Sequence, residues 1–389
     1  MPAFNTWKFS RPVLALLVSA TAALSAQAQI KVGVVLSTTG PASSLGIPER
    51  KTIELFPKEV AGQKIEYTIL DDASDPTGAV KATRKLVSED GVHLVIGATT
   101  TPSSLAMRDV VADAGVPQIS IAAGRSIVFP VDEKRKWVFN TAPTTSLMAG
   151  AVVQHMKKKG VKTAAYIGFD DAFGEDWATN FAEAAKAAGI EVVASERYSR
   201  AATSATGQTL HIKAAKPDAV MIGASGTAAA LPERSFKQIG YTGTLYQSGG
   251  VGNPDFLRIC GADCNGTVVA VAPGMVARQL PQDSPIKQSA MRFADTYEGV
   301  YGTKSITQFG ANAWDSGVLF EHAVPVALKQ AKPGDSAAFR KALRDALEGL
   351  KDVPAAGGIY TMTPDNHNGL NDLGVVLVRI VDGDWQLEK

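Results

Sequence analysis

From residue 29 onward, apolar runs and polar turns alternate in a steady rhythm. Ile30–Leu36 is rich in β-branched residues and ends in Ser37-Thr-Thr-Gly-Pro41, with a helix expected over 48–56. A second strand over 65–70 ends in Asp71-Asp72-Ala-Ser-Asp75-Pro76. Asp75 and Pro76 suit the start of a helix whose Ala79, Ala82 and Leu86 share one face. The run 93–98, closed by Gly97, reads as a buried strand. Residues 105–114 then switch to helical spacing, with Ala106/Val110 and Met107/Val111/Ala114 on neighbouring inward stripes. Residues 117–121 follow as a fourth strand, ending at Ala122-Ala-Gly124-Arg125.

A second series begins after residue 143. A helix carrying Met148, Val152 and Met156 leads to a strand over 163–167, a helix over 175–188 and a strand over 190–195. A helix over 203–215 and the strand Ala219–Gly223 come next. Gly223-Ala-Ser-Gly226 opens another helix, and a strand over 245–248 ends in Gly249-Gly-Val-Gly-Asn-Pro254. Residues 268–273 form a return strand, the stretch to about 349 is helix-rich, and 374–381 is a late strand before Trp385. Alternating strands and helices with short connections predict an α/β protein of two doubly wound lobes.

The joint after residue 98 carries the clearest chemistry. Thr101 suits an N-cap and Pro102 a first helical residue, because proline lacks an N–H that would be unpaired there. A strand end and a helix start then meet at Thr99, Thr100 and Thr101. Free backbone N–H groups and the positive end of the helix dipole favour a carboxylate or similar anion there. In open α/β sheets the carboxyl edge of the strands is also where ligands bind. A polar cap that only starts a helix is the alternative.

At 389 residues the chain is too long for one typical core. Its net charge of +1, with 20% charged residues, gives no basic excess for nucleic acid. Lys8 and Arg11 precede an apolar segment over 12–24 and then Ala26-Gln-Ala28, the pattern of an export signal cleaved near Ala28. The apolar run is shorter than the ~20 residues that span a bilayer. Export to the periplasm makes a disulfide between the two cysteines, Cys260 and Cys264, an expectation. No metal site or other cofactor is expected: none of the histidines (93, 155, 211, 322, 367) has zinc-helix spacing. Neither a Gly-x-Ser-x-Gly elbow nor a phosphate loop occurs, and Gly249-Gly-Val-Gly252 breaks the dinucleotide spacing. The pairs Asp71/Asp72 and Asp170/Asp171 suit loop solvation and helix capping better than acid–base work. The sequence offers a pocket with no visible catalytic residue.

Ile30-Lys-Val-Gly-Val with Ser37–Pro41, Asp71-Asp-x-x-Asp-Pro76, Val95-Ile-Gly97 with the threonines, and Ile119-Ser-Ile-Ala-Ala123 occur in that order. Phe173-Gly-Glu175, Gly250-Val-Gly-Asn253 and 309–315 extend the series through the second half. Together they resemble the type I periplasmic solute-binding proteins, in particular the branched-chain amino acid (Leu/Ile/Val) binding-protein family, over residues 30–387. The resemblance implies two lobes joined by a multi-strand hinge, 29–143 with 274–362 and 144–273 with 363–389, and a ligand in the cleft between them. It implies a monomer that delivers its ligand to an ABC permease pair with cytoplasmic ATPases.

By position, the resemblance puts the ligand carboxylate at Thr100 and Thr101 and at Ala123 and Gly124. Leu45 stands where the family has an aromatic lid, Phe173 where it has a tyrosine, and Phe309 where another ring lines the pocket. Ser225, in the 223–226 turn, joins this set. Gly249 falls where the family places the glutamate that holds a substrate ammonium. With that acid missing, Asp171 is the nearest substitute. The expected ligand is therefore a carboxylate with an aromatic or aliphatic body and no amine. Amino-acid binding by the same fold and a periplasmic sensor are the alternatives, and an enzyme is the least supported.

Overall fold

The computed structural model describes residues 1–3 and 29–388. The apolar run and cleavage site of the expected export signal lie outside the described residues. The first sheet holds β1 (Ile30–Leu36), β2 (Glu59–Val60), β3 (Gln63–Asp71), β4 (Leu94–Gly97), β5 (Gln118–Ser120) and β6 (Val138–Asn140), in the order β2-β3-β1-β4-β5-β6. All its pairings are parallel except the short β2–β3 ribbon. Its helices are α1 (Ser43–Glu54), α2 (Pro76–Ser88) and α3 (Thr101–Asp113). The second sheet holds β7 (Thr163–Phe169), β8 (Glu191–Tyr198), β9 (Ala219–Gly223), β10 (Thr244–Gln247) and β11 (Val268–Val271). Around it run α4 (Thr145–Lys158), α5 (Ala172–Ala188), α6 (Thr206–Ala214), α7 (Ala230–Gln238) and α8 (Pro254–Cys260).

The chain then returns through α9 (Lys287–Tyr301), α10 (Gln308–Gln330) and α11 (Ser336–Glu348) and the ribbon of β12 (Val353–Pro354) with β13 (Ile359–Tyr360). It finishes with β14 (Val376–Val381) and β15 (Asp384–Leu387), which complete the order β15-β14-β11-β10-β9-β7-β8. Two doubly wound lobes are therefore present.

Strand alternation explains the layers. Val32, Val34 and Leu36 of β1 point to one face, against Leu319, Phe320 and Ala323 of α10 and Phe339 and Leu343 of α11. Val35 points to the other, against Leu86 of α2 and Met107 and Val111 of α3. The second lobe has one continuous core in which Met148, Val152 and Met156 of α4 meet Trp177 and Phe181 of α5, Tyr166 and Tyr246.

Several elements depart from the sequence expectation. The first helix starts at Ser43, so Pro48 lies inside it and Leu45 becomes a helical residue. Residues 363–370 belong with the first lobe: Leu370 joins its core, His367 stacks on Phe139, and Asn368 Nδ2 donates to Asn140 Oδ1 at 2.9 Å. The last crossing thus falls after 370, where 363 was expected. The expected disulfide is absent. Cys260 and Cys264 are free, buried thiols at the ends of α8 and of the following 3-10 turn, and Cys264 Sγ donates to the Gly261 carbonyl at 3.3 Å. The Cys264 hydrogen bond and burial together push the Cys260 thiol up.

Glu233 of α7 is fully buried in the second lobe, where it accepts from Gln247 Nε2 (3.2 Å) and Thr267 Oγ1 (3.1 Å). Burial raises its carboxyl to about 7, so the native state holds a proton that the unfolded chain releases near 4.5. With more protons bound in the native state, stability falls as pH rises from about 4.5 to 7. Glu233→Gln should flatten that part of the melting-temperature profile and raise the melting temperature at pH 8. An unchanged slope would assign the pH dependence to other groups.

Candidate functional site

Each sheet has a point where strand order reverses, and the two reversals open onto one cavity. In the first sheet it lies between β1 and β4, so the loops after these strands, Ser37–Pro41 and Thr99–Thr101, meet there. Ser37 N donates to Thr99 Oγ1 at 2.9 Å, tying the two loops together. Thr99 Oγ1 in turn donates to Glu49 Oε2 of α1. Glu49 is completely buried, and chiefly that burial raises its carboxyl well above the usual range. In the second sheet the reversal lies between β7 and β9, which brings Phe173 and Ser225 to the same opening. A cavity lies between the lobes, lined by residues of both.

The threonine loop is built one residue away from the sequence expectation. Thr100, not Thr101, is the N-cap of α3: its Oγ1 accepts from Ser103 N at 3.4 Å. Thr101 is the first helical residue and Pro102 the second, a position where a missing N–H still costs nothing. Relieved of capping, Thr101 lines the cavity, and its Oγ1 is buried and has no partner. Gly124 does not line the cavity; it lies behind Thr101. A Cβ on Gly124 would come within 2.4 Å of Thr101 Cγ2, so only glycine lets this threonine keep its place. Ala123 lines the wall beside it.

The apolar wall joins Leu45 and Phe309, which pack together with Ala42, to Met148 and Phe173 from the second lobe. Gly249 also lines the cavity, and its backbone leaves no room for a side chain. A Cβ there would lie 2.6 Å from the Ala270 carbonyl oxygen and 3.2 Å from Met148 Sδ.

Asp171 does not supply the missing acid. Its Oδ1 caps α5 by accepting from Phe173 N (2.9 Å) and Gly174 N (3.1 Å), and its Oδ2 pairs with Arg200 Nε. The cavity is lined instead by Arg200, a residue the sequence reading missed. Arg200 follows β8, and no local motif marks it. Its Nη1 donates to Ser225 Oγ at 3.0 Å, and its guanidinium lies 4.1 Å from the Phe169 ring centre.

At the floor, Gln308 and Asn312 of α10 are held by hydrogen bonds that use one N–H of each amide. Gln308 Oε1 accepts from Ala272 N (2.7 Å), Gln308 Nε2 donates to Asn312 Oδ1 (3.1 Å), and Asn312 Nδ2 donates to the Ile121 carbonyl (3.3 Å). At the rim the lobes touch: Asp176 of α5 accepts from Arg125 N and from Thr145 Oγ1. Among the described residues no group of three or more His, Cys, Asp or Glu side chains is placed to hold a metal. His93 is a buried structural residue: burial lowers its imidazole to about 4, and Nδ1 accepts from Lys31 N at 3.0 Å.

Comparison with known proteins agrees with this architecture. The family model described as "Periplasmic binding protein" matches residues 29–384. A Leu/Ile/Val-binding protein homologue from Brucella melitensis is 26% identical over 273 residues, covering 67% of this chain and 72% of its own. A leucine-, isoleucine-, valine-, threonine- and alanine-binding protein from Pseudomonas aeruginosa is 28% identical over 279 residues, covering 69% of this chain and 73% of its own. Among solved structures, an extracellular ligand-binding receptor from Rhodopseudomonas palustris HaA2 superposes with a TM-score of 0.89 at 42% identity, over 93% of this chain and all of that one. Two lobes with facing strand-order reversals, a cavity between them and a family match along nearly the whole chain lead to one assignment: this chain belongs to the periplasmic binding protein family.

Proposed function

We propose that the chain is the substrate-binding component of an ABC importer and captures a small carboxylate with an apolar or aromatic body and no ammonium group. It acts without catalysis, as a monomer in the periplasm, and presents its closed lobes to a permease pair with cytoplasmic ATPases. The observation that carries this reading is cavity-lining Thr101, whose buried Oγ1 at the start of α3 has no partner. An unsatisfied buried hydroxyl is costly, and a ligand carboxylate would satisfy it. Across the cavity stands the cation Arg200, while Asp171 is spent on it. A buried ammonium would find no free carboxylate, and such a charge is strongly disfavoured.

The second reading is an amino acid ligand, because two curated relatives are named for binding leucine, isoleucine and valine. Purified protein stripped of ligand separates the two by thermal shift. Saturation at ~100 times the dissociation constant stabilises the fold by ~2.7 kcal/mol, a readable change in melting temperature. Benzoate, phenylacetate or an aliphatic acid should produce it, and leucine, isoleucine and valine should not. A shift with leucine and none with any amine-free acid would favour the second reading.

Thr101→Val removes the hydroxyl and keeps the shape. Losing a hydrogen bond to a charged group costs roughly 1.5–3 kcal/mol, so affinity for the acid should fall about tenfold or more in calorimetry. A folded variant with unchanged affinity would remove Thr101 from the site. Gly249→Glu should not create leucine binding, because the Ala270 carbonyl occupies the space its Cβ needs. Leucine binding by that variant would show that the backbone can yield.

A further inference from the structure

The far end of the cavity makes a demand of its own, and the inference below rests on the reading of the site as a carboxylate pocket. Arg200 is fixed on three sides, by Asp171 Oδ2, by Ser225 Oγ and by the Phe169 ring. Among the described residues its Nη2 has no partner. Ser225 Oγ spends a lone pair on Arg200 and keeps its own proton to give. The cavity wall therefore holds two pre-positioned donors from neighbouring side chains, on loops after β8 and β9, with no acceptor free beside them. Asp171 accepts from two backbone N–H groups and the guanidinium, and the side-chain oxygens of Gln308 and Asn312 each already accept a hydrogen bond, from Ala272 N and from Gln308 Nε2.

A hydrocarbon end closing over these donors would strip them of water and return nothing. We infer that the ligand is a two-ended acid: one carboxylate on the Thr101 loop and a second oxygen acceptor, a carboxylate or a hydroxyl, on Arg200 and Ser225. Arg200 is then the specificity-determining residue of the second lobe. Its fork of planar donors matches an oxygen acceptor as a lysine point charge would not.

The test compares acids that share one body and differ at one end. Ligand-free protein is titrated calorimetrically with benzoate, 4-hydroxybenzoate and terephthalate, and with pentanoate against glutarate as the aliphatic pair. At least one oxygen-bearing acid should bind about tenfold or more tighter than its plain partner, the value of one hydrogen bond to a charged group. Arg200→Gln should erase that preference, bringing the oxygen-bearing acid to the affinity of its plain partner. Because Arg200→Gln leaves Asp171 without its partner, Arg200→Lys, which keeps the charge, and Ser225→Ala, which keeps the ion pair, are measured beside it. Each should shrink the preference.

Equal affinity for both members of every pair would overturn the inference and leave the carboxylate site standing. So would an Arg200→Gln variant that weakens plain and oxygen-bearing acids alike. Leucine binding with no response to any of these acids would instead overturn the reading of the site itself.

Discussion

The hydrogen bond from Ser37 N to Thr99 Oγ1 joins the loops on either side of the strand-order reversal in the first sheet, and the rest of the site depends on it. Thr99 cannot serve a ligand, because its lone pair goes to Ser37 and its proton to the buried carboxyl of Glu49. Thr100 Oγ1 accepts from Ser103 N at the start of α3 and keeps its proton to give. Of three consecutive threonines, Thr99 ties the scaffold, Thr100 caps the helix, and Thr101 has an Oγ1 with no partner in the protein. Gly124 completes the arrangement from behind, since any side chain there would push Thr101 aside. A fixed, dry hydroxyl at a helix start is pre-organised for an anion, so little ordering remains to oppose binding.

The second lobe repeats the geometry with different chemistry. Its reversal between β7 and β9 brings a capped helix start beside a cation that comes from neighbouring β8. An isolated guanidinium in a closed cavity would be expensive, and Asp171 and the Phe169 ring make it tolerable. The pair is close to neutral as a unit, yet it still faces the cavity with donors only. Polarity in this pocket therefore sits at its two ends, with Leu45, Phe309, Met148 and Phe173 between them.

How far this was legible in the sequence follows from the range of each interaction. Strand runs and helix faces are local patterns, and the two doubly wound lobes could be read from them. The threonine loop was visible for the same reason. Its cap was misplaced by one residue because Thr100 and Thr101 are both good caps and Pro102 is acceptable as either the first or the second helical residue. Pro48 misled in the same way, taken for a helix start when the helix runs through it. What the sequence hid is long-range. Arg200 is marked only by its meeting with Asp171, 29 residues earlier. The place of 363–370 is set by contacts to Phe139 and Asn140, more than 200 positions away. Gly249 showed that an acid was missing, while the reason none fits, the Ala270 carbonyl, needed coordinates.

The floor of the cavity explains why discrimination falls to the two ends. Gln308 and Asn312 form a chain of hydrogen bonds from Ala272, where β11 leaves the second lobe, to Ile121, just beyond β5 of the first. This chain joins the two lobes and stays polar, and each of its side-chain oxygens already accepts a hydrogen bond. It can help set the angle between the lobes. Asp176 of the second lobe accepts from Arg125 N of the first, and from Thr145 Oγ1 of its own lobe. Closure then brings the Thr101 end and the Arg200 end to a separation set by protein contacts alone. A ligand stabilises the closed form only by as much as it binds that form better than the open one. A molecule with one polar end meets apolar side chains of both lobes but makes polar contact with only one. On the inferred two-ended reading, a ligand that reaches both would make polar contacts with both lobes at once, so its far end would bear on closure as well as affinity.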